Sequence, residues 1–160
     1  MITPLLASLL LAASAGEGAP RRQVKVIVTS PQAPAPSGQS FRATEILEVQ
    51  FDAQFRQRPT GDHLLEFKVY TPTGKLYQVL PVPFSGRAGP TQFRQVEGFP
   101  RAIQERRLRE VEPSKFRVNA RLPVAGTWIV TNSLYGGWRV DAHFDGNPEP
   151  AGSGNFWIQP

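Results

Sequence analysis

Cysteine is absent from the 160 residues of this chain, and histidine occurs only twice. The lack of cysteine excludes a disulfide scaffold, a thiolate nucleophile, a CxxC redox motif and a cysteine zinc knuckle. The chain also lacks a Gly-x-Ser-x-Gly elbow, a His-Glu-x-x-His helix motif and a phosphate-binding loop. These absences indicate a protein that is not an enzyme, and no cofactor is expected.

Charged side chains are missing from the first 15 residues. At about 1.5 Å rise per residue, the apolar run at 5–12 is too short to cross a hydrocarbon core of about 30 Å. Ala13, Ser14 and Ala15 follow it in the small-x-small pattern that signal peptidase accepts. We therefore interpret 1–15 as a signal peptide and expect a secreted or periplasmic mature chain without a transmembrane anchor. An apolar N-terminal strand or helix is the alternative.

Proline and glycine are abundant, with 16 and 14 residues, which disfavours long helices and suits short strands joined by turns. Apolar and polar side chains alternate with a period of two in several segments. In the clearest of these, 45–55, the apolar residues on one face are Leu47, Val49, Phe51, Ala53 and Phe55. The polar residues between them, Asp52 included, are expected to face solvent. The pattern predicts an all-β fold of two packed antiparallel sheets.

Composition also suggests how the chain is organised. After the predicted signal peptide, 16–40 is interpreted as an N-terminal strand followed by a Pro-rich connection. Val24, Val26 and Val28 share one face of that strand. The remaining residues, 41–160, are predicted to form the sandwich, with a charged insertion at 85–115.

The block at 121–146, RLPVAGTWIVTNSLYGGWRVDAHFDG, resembles the late strands of bacterial immunoglobulin-like modules. In those modules a Leu-Pro-x-x-Gly-x-Trp phrase turns the corner between the sheets, and a hairpin follows. The resemblance implies a two-sheet antiparallel immunoglobulin-like sandwich and says nothing about chemistry, because such folds host many functions. By its own pattern, the block predicts strands at 127–131 and 138–144, with Trp128 and Trp138 in or near the core.

The charged insertion contains a segment bounded by Pro100 and Pro113, with oppositely charged residues spaced i,i+4. Its apolar stripe is thin and consists of Ile103, Leu108 and Val111. We predict one short surface helix over 99–112, lying on the sandwich. A strand at 106–112 is the alternative assignment.

Positive charge is concentrated in one region. Nine basic and four acidic residues fall at 85–121, a balance of +5 that equals the net charge of the whole chain. Guanidinium groups favour bidentate contacts with carboxylate, phosphate or sulfate. The candidate partner-binding residues are Arg101, Arg106, Arg107 and Arg109. A solvated segment with internal ion pairs is the alternative interpretation.

Two aromatic residues are further candidates for partner binding. Tyr135 lies beside two glycines, and Trp157 lies near the C-terminus, so both are expected to be exposed. Exposed tyrosine and tryptophan serve as anchors for protein or sugar partners. The alternative for Trp157 is a place on a final strand that closes a sheet edge.

Asp141, His143 and Asp145 are predicted to share the outer face of the strand at 138–144. An imidazole between two carboxylates can bind a divalent ion, so these residues are the candidates for a metal site. A polar, solvent-facing strand surface explains them equally well. His63 falls at a predicted turn, where we expect a structural role.

Together, the export pattern, the strands and the missing catalytic motifs favour a non-catalytic module that acts by protein–protein contact in a bacterial envelope or extracellular assembly. Its expected partners are other envelope or extracellular proteins with acidic surfaces. Nucleic acid is not expected, because an exported domain without a recognised motif rarely meets it. The alternatives are a carbohydrate- or polyanion-binding module and a small periplasmic metal-binding protein.

Overall fold

Two packed β-sheets make up most of the structure, a computed structural model that describes residues 23–33 and 39–160. The predicted signal peptide at 1–15 and the centre of the Pro-rich connection lie outside the described residues. Within those residues, no helix is long and apolar enough to span a membrane.

The described residues form twelve strands and one helical turn. In chain order these are β1 (Lys25–Thr29), β2 (Ser40–Arg42), β3 (Glu48–Phe55), β4 (Asp62–Tyr70), β5 (Leu76–Ser85), β6 (Phe93–Arg94), β7 (Ile103–Gln104), β8 (Arg106–Arg107), β9 (Arg109–Glu112), β10 (Lys115–Pro123), α1 (Trp128–Thr131), β11 (Gly136–Phe144) and β12 (Gly152–Gln159).

The first sheet has the strand order β1-β3-β10-β9, and all its pairings are antiparallel. The second sheet has the order β2-β12-β11-β4-β5-β8, and its two outermost pairings are parallel. β6 and β7 pair with each other inside the charged insertion. The predicted all-β sandwich of two sheets is therefore confirmed, and the N-terminal strand β1 belongs to it through its pairing with β3.

Apolar side chains from the inner faces of both sheets fill the space between them. Val49 and Phe51 on β3 are fully buried, as the alternation predicts. The Phe51 ring lies 5.8 Å from that of Phe67 and 5.5 Å from that of Phe156, centroid to centroid. Leu47 is the exception to the predicted pattern. It precedes β3 and is 63% exposed, so the buried face of this segment begins at Val49.

The prediction of a surface helix over 99–112 is wrong. This segment contains β7, β8 and β9, so the alternative assignment of a strand at 106–112 is confirmed, with a break at Leu108. β8 pairs with β5 and β9 pairs with β10, so one short segment extends both sheets. A short isolated helix is marginal in water, whereas the open edges of the sheets offer hydrogen-bond partners to this backbone.

The prediction of a strand at 127–131 is also wrong, because α1 occupies this position. The hydroxyl of Thr127 caps the helical turn by accepting the backbone N–H of Ile129 at 3.3 Å. Ile129 is buried, while Trp128 is 71% exposed, so Trp128 is not a core residue. The chain crosses here from β10 in one sheet to β11 in the other, and this change of direction overrides the strand propensity of the segment.

Connecting segments gather at two opposite ends of the sandwich. The arginine end comprises 56–61, 86–92, 145–151 and the turn between β9 and β10. The tryptophan end comprises 43–47, 71–75 and 124–135, which includes α1. The antiparallel registers define these ends, since β4 begins and β11 ends at the arginine end.

Candidate functional site

Arg94 attaches the charged insertion to the second sheet by hydrogen bonds and forms an ion pair within the insertion. Arg94 on β6 donates through Nη2 to the carbonyl oxygens of His63 at 2.6 Å and Phe84 at 2.8 Å. Its Nε lies 3.0 Å from Oε1 of Glu105. The other carboxylate oxygen of Glu105 accepts the backbone N–H of Gln92 at 3.1 Å. Glu105 is buried, and these two contacts neutralise its charge within the fold.

Five of the nine basic residues at 85–121 lie beside an acid. These paired residues are Arg87, Arg94, Lys115, Arg117 and Arg121. No carboxylate of a described residue forms an ion pair with the other four, which are the predicted partner-binding residues. All four are exposed, and we call them the arginine surface: Arg101, Arg106, Arg107 and Arg109.

The arginine surface follows the edges of both sheets. Arg106 and Arg107 form β8 and pair in parallel with the end of β5. Arg109 begins β9 at the edge of the first sheet, where it pairs with Arg117 of β10. Arg101 lies in the connection before β7. The structure thus brings three of the four predicted arginines onto consecutive edge strands.

A cleft of about 270 Å³ opens beside β8 at the arginine end. Four arginines line it: Arg58, Arg87, Arg106 and Arg107. Its lining also includes the hydroxyl residues Ser85 and Thr91 and the acid Glu105, which is already paired. Arg58 and Arg87 were missed as site residues, because only the tertiary fold brings 56–61 beside 86–92.

Asp62, at the start of β4, partly neutralises this region. Its carboxylate lies 3.9 Å from Nη2 of Arg87. A hydrogen bond from Ser85 lowers the pKa of Asp62, and the positive charges of Arg87 and Arg94 lower it further. Asp62 is therefore ionised at neutral pH and balances one of the cleft arginines.

His63 and Asp145 form a pair of the kind found in hydrolases, but both ring nitrogens are occupied. Nδ1 lies 2.8 Å from Oδ2 of Asp145, and Nε2 lies 2.7 Å from the carbonyl oxygen of Thr60. The ring packs 4.8 Å from that of Phe144, centroid to centroid. A general base needs a free nitrogen directed at a nucleophile. The geometry therefore supports the structural role expected for His63, that of joining two loops.

The structure does not bring Asp141, His143 and Asp145 together, so the alternative of a metal site is wrong. Nowhere in 23–33 and 39–160 do three or more acidic or histidine side chains cluster in a way that could hold a metal ion. Asp145 follows β11 with φ +49 and accepts the backbone N–H of Leu64 at 2.9 Å. Asp141 instead accepts the hydroxyl of Ser153 at 2.8 Å. The turn after β11 thus directs the third candidate away from the other two.

Asp141 and His143 face outward from the core, as predicted, yet they are 8% and 5% exposed and are not solvated. The connection 145–151 folds back over this face, where Nδ1 of His143 donates to the carbonyl oxygen of Asn147 at 3.0 Å. Nε2 of His143 has no hydrogen-bond partner among the described residues. The outer face of β11 is thus covered at the arginine end.

The two candidate aromatic anchors differ in exposure. Trp157 on β12 is 54% exposed, as expected. Tyr135 is half-buried and packs against the core, so its predicted exposure is wrong. Ser133, with φ +52, makes a tight turn that returns the chain to the core just before Tyr135. Trp138 is 1% exposed, which confirms its predicted core position.

Trp157 covers the backbone of β11. A Cβ atom at Gly137 would lie only 2.7 Å from Cζ3 of the Trp157 ring, so the ring needs glycine beneath it. Aromatic side chains that cover strand glycines stabilise sheets. Beside this ring, the guanidinium carbon of Arg139 lies 4.4 Å from the ring centroid of Tyr70. These four residues help to line an open groove of about 440 Å³.

Asp52 is a buried acid that the sequence pattern assigned to the solvent side of β3. It is 3% exposed, with Nη1 of Arg117 at 3.6 Å and the amide of Gln50 donating at 3.0 Å. Burial raises the pKa of Asp52, and the charge of Arg117 and hydrogen bonds from Gln50 and Asn119 oppose this effect without cancelling it. Asp52 therefore costs folding free energy when it is ionised.

The strand order defines the class of protein. In the first sheet, β1, β3, β10 and β9 correspond to strands A, B, E and D of an immunoglobulin-like sandwich. In the second, β12, β11, β4 and β5 correspond to strands G, F, C and C′. Antibody domains place a disulfide and a tryptophan at the centre of this fold, whereas here the rings of Phe51, Phe67 and Phe156 pack together. The protein is thus an all-β, two-sheet sandwich with immunoglobulin-like topology.

No protein-family model and no curated protein matches the chain. Among solved structures, the chain is similar to the crystal structure of an immunoglobulin-like protein from Pseudomonas aeruginosa. The two share 12% sequence identity with a TM-score of 0.34, and the match covers 86% of this chain and 91% of the other.

Proposed function

We propose that this protein is a non-catalytic immunoglobulin-like module that works by contact with another protein in a bacterial envelope or extracellular assembly. The observation that carries the proposal is the arginine surface. Its four guanidinium groups have no ion-pair partner in the part of the chain that the structure describes. A partner with an acidic surface would supply the missing carboxylates.

The position of these arginines supports a role in recognition. Edge strands present open backbone groups to other proteins, and charged side chains on them decide which partner can approach. Unlike the other basic residues at 85–121, the arginine surface forms no ion pair with an acid among the described residues. A purely protective role, blocking edge-to-edge aggregation, is the competing explanation.

The export pattern at 1–15 supports a location outside the cytoplasm. On this proposal, the protein isolated from its native host begins at or near Gly16. Intact-mass measurement tests this directly, and a mass that retains residues 1–15 contradicts export with cleavage.

The proposed contact is tested with the partner purified by affinity from the native host. We expect its affinity for the wild-type protein to fall as salt rises, since the Debye length is about 10 Å at 0.1 M. Changing Arg106, Arg107 and Arg109 together to Gln should weaken binding by at least tenfold, about 1.4 kcal/mol. The melting temperature should stay nearly unchanged, because exposed charges contribute only about 0 to 1 kcal/mol each.

A matched control changes Arg42, Lys75 and Arg121 to Gln, three exposed basic residues outside the arginine surface. This variant loses the same net charge, so it separates local recognition from general attraction. Equal affinity of the arginine-surface variant and the wild type would contradict the proposal. A large loss of stability in that variant would instead assign the arginines to the fold itself.

Carbohydrate binding is a second candidate function, favoured by Trp157. One face of its ring lies on Gly137 and the side chain is 54% exposed, the arrangement that allows stacking on a sugar ring. A glycan array probed with the wild-type protein and with Trp157→Ala tests this function. Binding lost in the variant supports carbohydrate recognition, and no binding by the wild-type protein contradicts it.

A further inference from the structure

We propose that the cleft at the arginine end binds a single tetrahedral oxyanion, phosphate or sulfate, either free or as the terminal group of an ester. This inference rests on the proposed function in one respect: both place binding at the arginine end of the sandwich. It adds a ligand chemistry and two further residues, Arg58 and Arg87, which come from different loops.

Four guanidinium-bearing side chains line this one cleft of about 270 Å³: Arg58, Arg87, Arg106 and Arg107. The hydroxyl groups of Ser85 and Thr91 are also in the lining, but the Ser85 hydroxyl already donates to Asp62, so Thr91 supplies the available hydroxyl donor. The Thr91 hydroxyl accepts a hydrogen bond from the amide of Gln104 at 3.3 Å, which leaves its own proton to donate. The cleft is therefore rich in hydrogen-bond donors of the type that bind oxyanions.

The acids near the cleft do not neutralise it. Glu105, the acid in its lining, is buried and lies 3.0 Å from Arg94, which is outside the cleft lining. Asp62 lies 3.9 Å from Arg87 and can balance only one guanidinium. Arg106 and Arg107 have no ion-pair partner among the described residues. Positive charge thus accumulates around a concave space, which favours an anion there.

The walls of the cleft are positioned before any ligand arrives. Gly86 lies so close to the carbonyl oxygen of Pro59 that a Cβ atom would come within 1.7 Å of it. The Gly86 N–H donates to the carbonyl oxygen of Gly61 at 2.8 Å, and Nε of Arg58 donates to the carbonyl oxygen of Gly86 at 2.9 Å. These contacts hold the two arginine-bearing loops together, so the backbone of these loops loses little conformational entropy on binding.

The number and origin of the donors favour a tetrahedral anion over a carboxylate. One guanidinium fork satisfies the two oxygens of a carboxylate, whereas phosphate and sulfate present three or four oxygens in different directions. The donors of this cleft belong to two loops and one edge strand, an origin that suits a ligand with oxygens in several directions.

Isothermal titration calorimetry of the full mature chain with sodium phosphate, sodium sulfate, phenyl phosphate and sodium acetate tests the inference. We expect saturable binding of one phosphate or sulfate per chain and weaker binding of acetate. Comparing inorganic phosphate with phenyl phosphate distinguishes a free ion from an ester. Changing Arg106 and Arg107 to Gln should weaken phosphate binding about tenfold or more, the loss expected on removing a charge-assisted hydrogen bond.

Arg42 and Lys75 changed together to Gln form the control, with the same loss of charge outside the cleft. A control that binds phosphate as weakly as the cleft variant would overturn the inference, because binding would then report only net charge. Absence of saturable phosphate or sulfate binding up to about 10 mM would also overturn it. Acetate binding as tight as phosphate binding would overturn the preference for a tetrahedral anion.

A second cleft variant, with Arg58 and Arg87 changed to Gln, separates this inference from the proposed function. It leaves the arginine surface intact. Loss of phosphate binding with retained partner binding would support the cleft as a separate ligand site. Partner binding that is unaffected by changes to the arginine surface, together with phosphate binding by the wild type, would contradict the proposed function and leave the cleft inference standing.

Discussion

The two ends of the sandwich share an aromatic core but differ in the polar contacts that accompany it. At the tryptophan end, the buried Trp138 ring packs 6.1 Å from the ring of Phe156 and 5.3 Å from that of Tyr77. Ile129 of α1 is completely buried beside this cluster in the common core. Apolar burial of this kind is non-directional and depends little on salt or pH.

At the arginine end, the ring of Phe84 packs 5.6 Å from that of Phe55 and 6.2 Å from that of Phe144, and polar contacts are added to this packing. Arg94 donates to two carbonyl oxygens, and the His63–Asp145 pair joins the start of β4 to the connection after β11. Such contacts are directional, so they fix where the loops and their charges lie. Both ends therefore have an aromatic core, and the arginine end differs in the polar contacts that fix its loops where unneutralised charge is presented.

The largest effect is expected from Trp138→Ala. Removing this buried ring should lower the free energy of unfolding by about 3 to 5 kcal/mol. Trp128→Ala is the matched control, because Trp128 is 71% exposed and its loss should change stability by no more than about 0.5 kcal/mol. Chemical denaturation of both variants checks the ranking. Similar losses for the two would mean that the tryptophan end is not stabilised by core burial.

A smaller loss, about 2 kcal/mol, is expected from Arg94→Met, which leaves the buried carboxylate of Glu105 without its partner. Amide hydrogen exchange should show that protection from exchange is lost mainly in 86–105, because Arg94 attaches this segment to the second sheet. Arg106→Met is the control, because its side chain is exposed. Uniform loss of protection across both ends would contradict the separate fastening of the arginine end.

Two aspartates should give small effects of opposite sign. Because burial raises the pKa of Asp52, its ionised form destabilises the fold, so Asp52→Asn should raise the melting temperature at pH 7. The gain should vanish below the ordinary aspartate pKa of about 3.9, where the wild-type residue is protonated in both states.

Asp62→Asn is the counterpart at the arginine end. The pKa of Asp62 is lowered, chiefly by the hydrogen bond from Ser85, so its ionised form stabilises the fold above the ordinary aspartate pKa. That contribution is lost as pH falls through the folded-state pKa, and the variant should melt slightly lower at pH 7. Thermal melts of both variants between pH 3 and pH 7 test these expectations. If the two substitutions changed the melting temperature at pH 7 in the same direction, the opposite pKa shifts of Asp52 and Asp62 would be refuted.

The core faces of the longer strands could be predicted from local pattern, whereas the conformations of 99–112 and 127–131 could not. Val49, Phe51 and Trp138 are buried as their alternation predicts, because the period of two in a strand directs alternate side chains into the core. The same rule correctly set Asp141 and His143 on the opposite face. It could not predict their burial, because His143 contacts the connection 145–151 and Asp141 lies against Ser153 and Arg139.

The candidate site was predictable only in part. Concentrated charge at 85–121 drew attention to the four arginines that prove to lack ion-pair partners among the described residues. The strand conformation of three of them was decided by the open edges of the two sheets: β8 pairs with the earlier strand β5, and β9 pairs with β10, which follows it directly. Helix spacing and a thin apolar stripe were weaker forces than those edges.

The all-β class, most of the inward-facing residues and the region where positive charge collects follow from the sequence, because each depends on local spacing or composition. Tertiary structure alone decided which charges are neutralised. It paired Arg94 with Glu105 and Arg117 with Asp52, and it brought Arg58 to Arg106 and Arg107 at one cleft. Electrostatic interaction depends on distance and burial in space, and neither quantity can be read from positions along the chain.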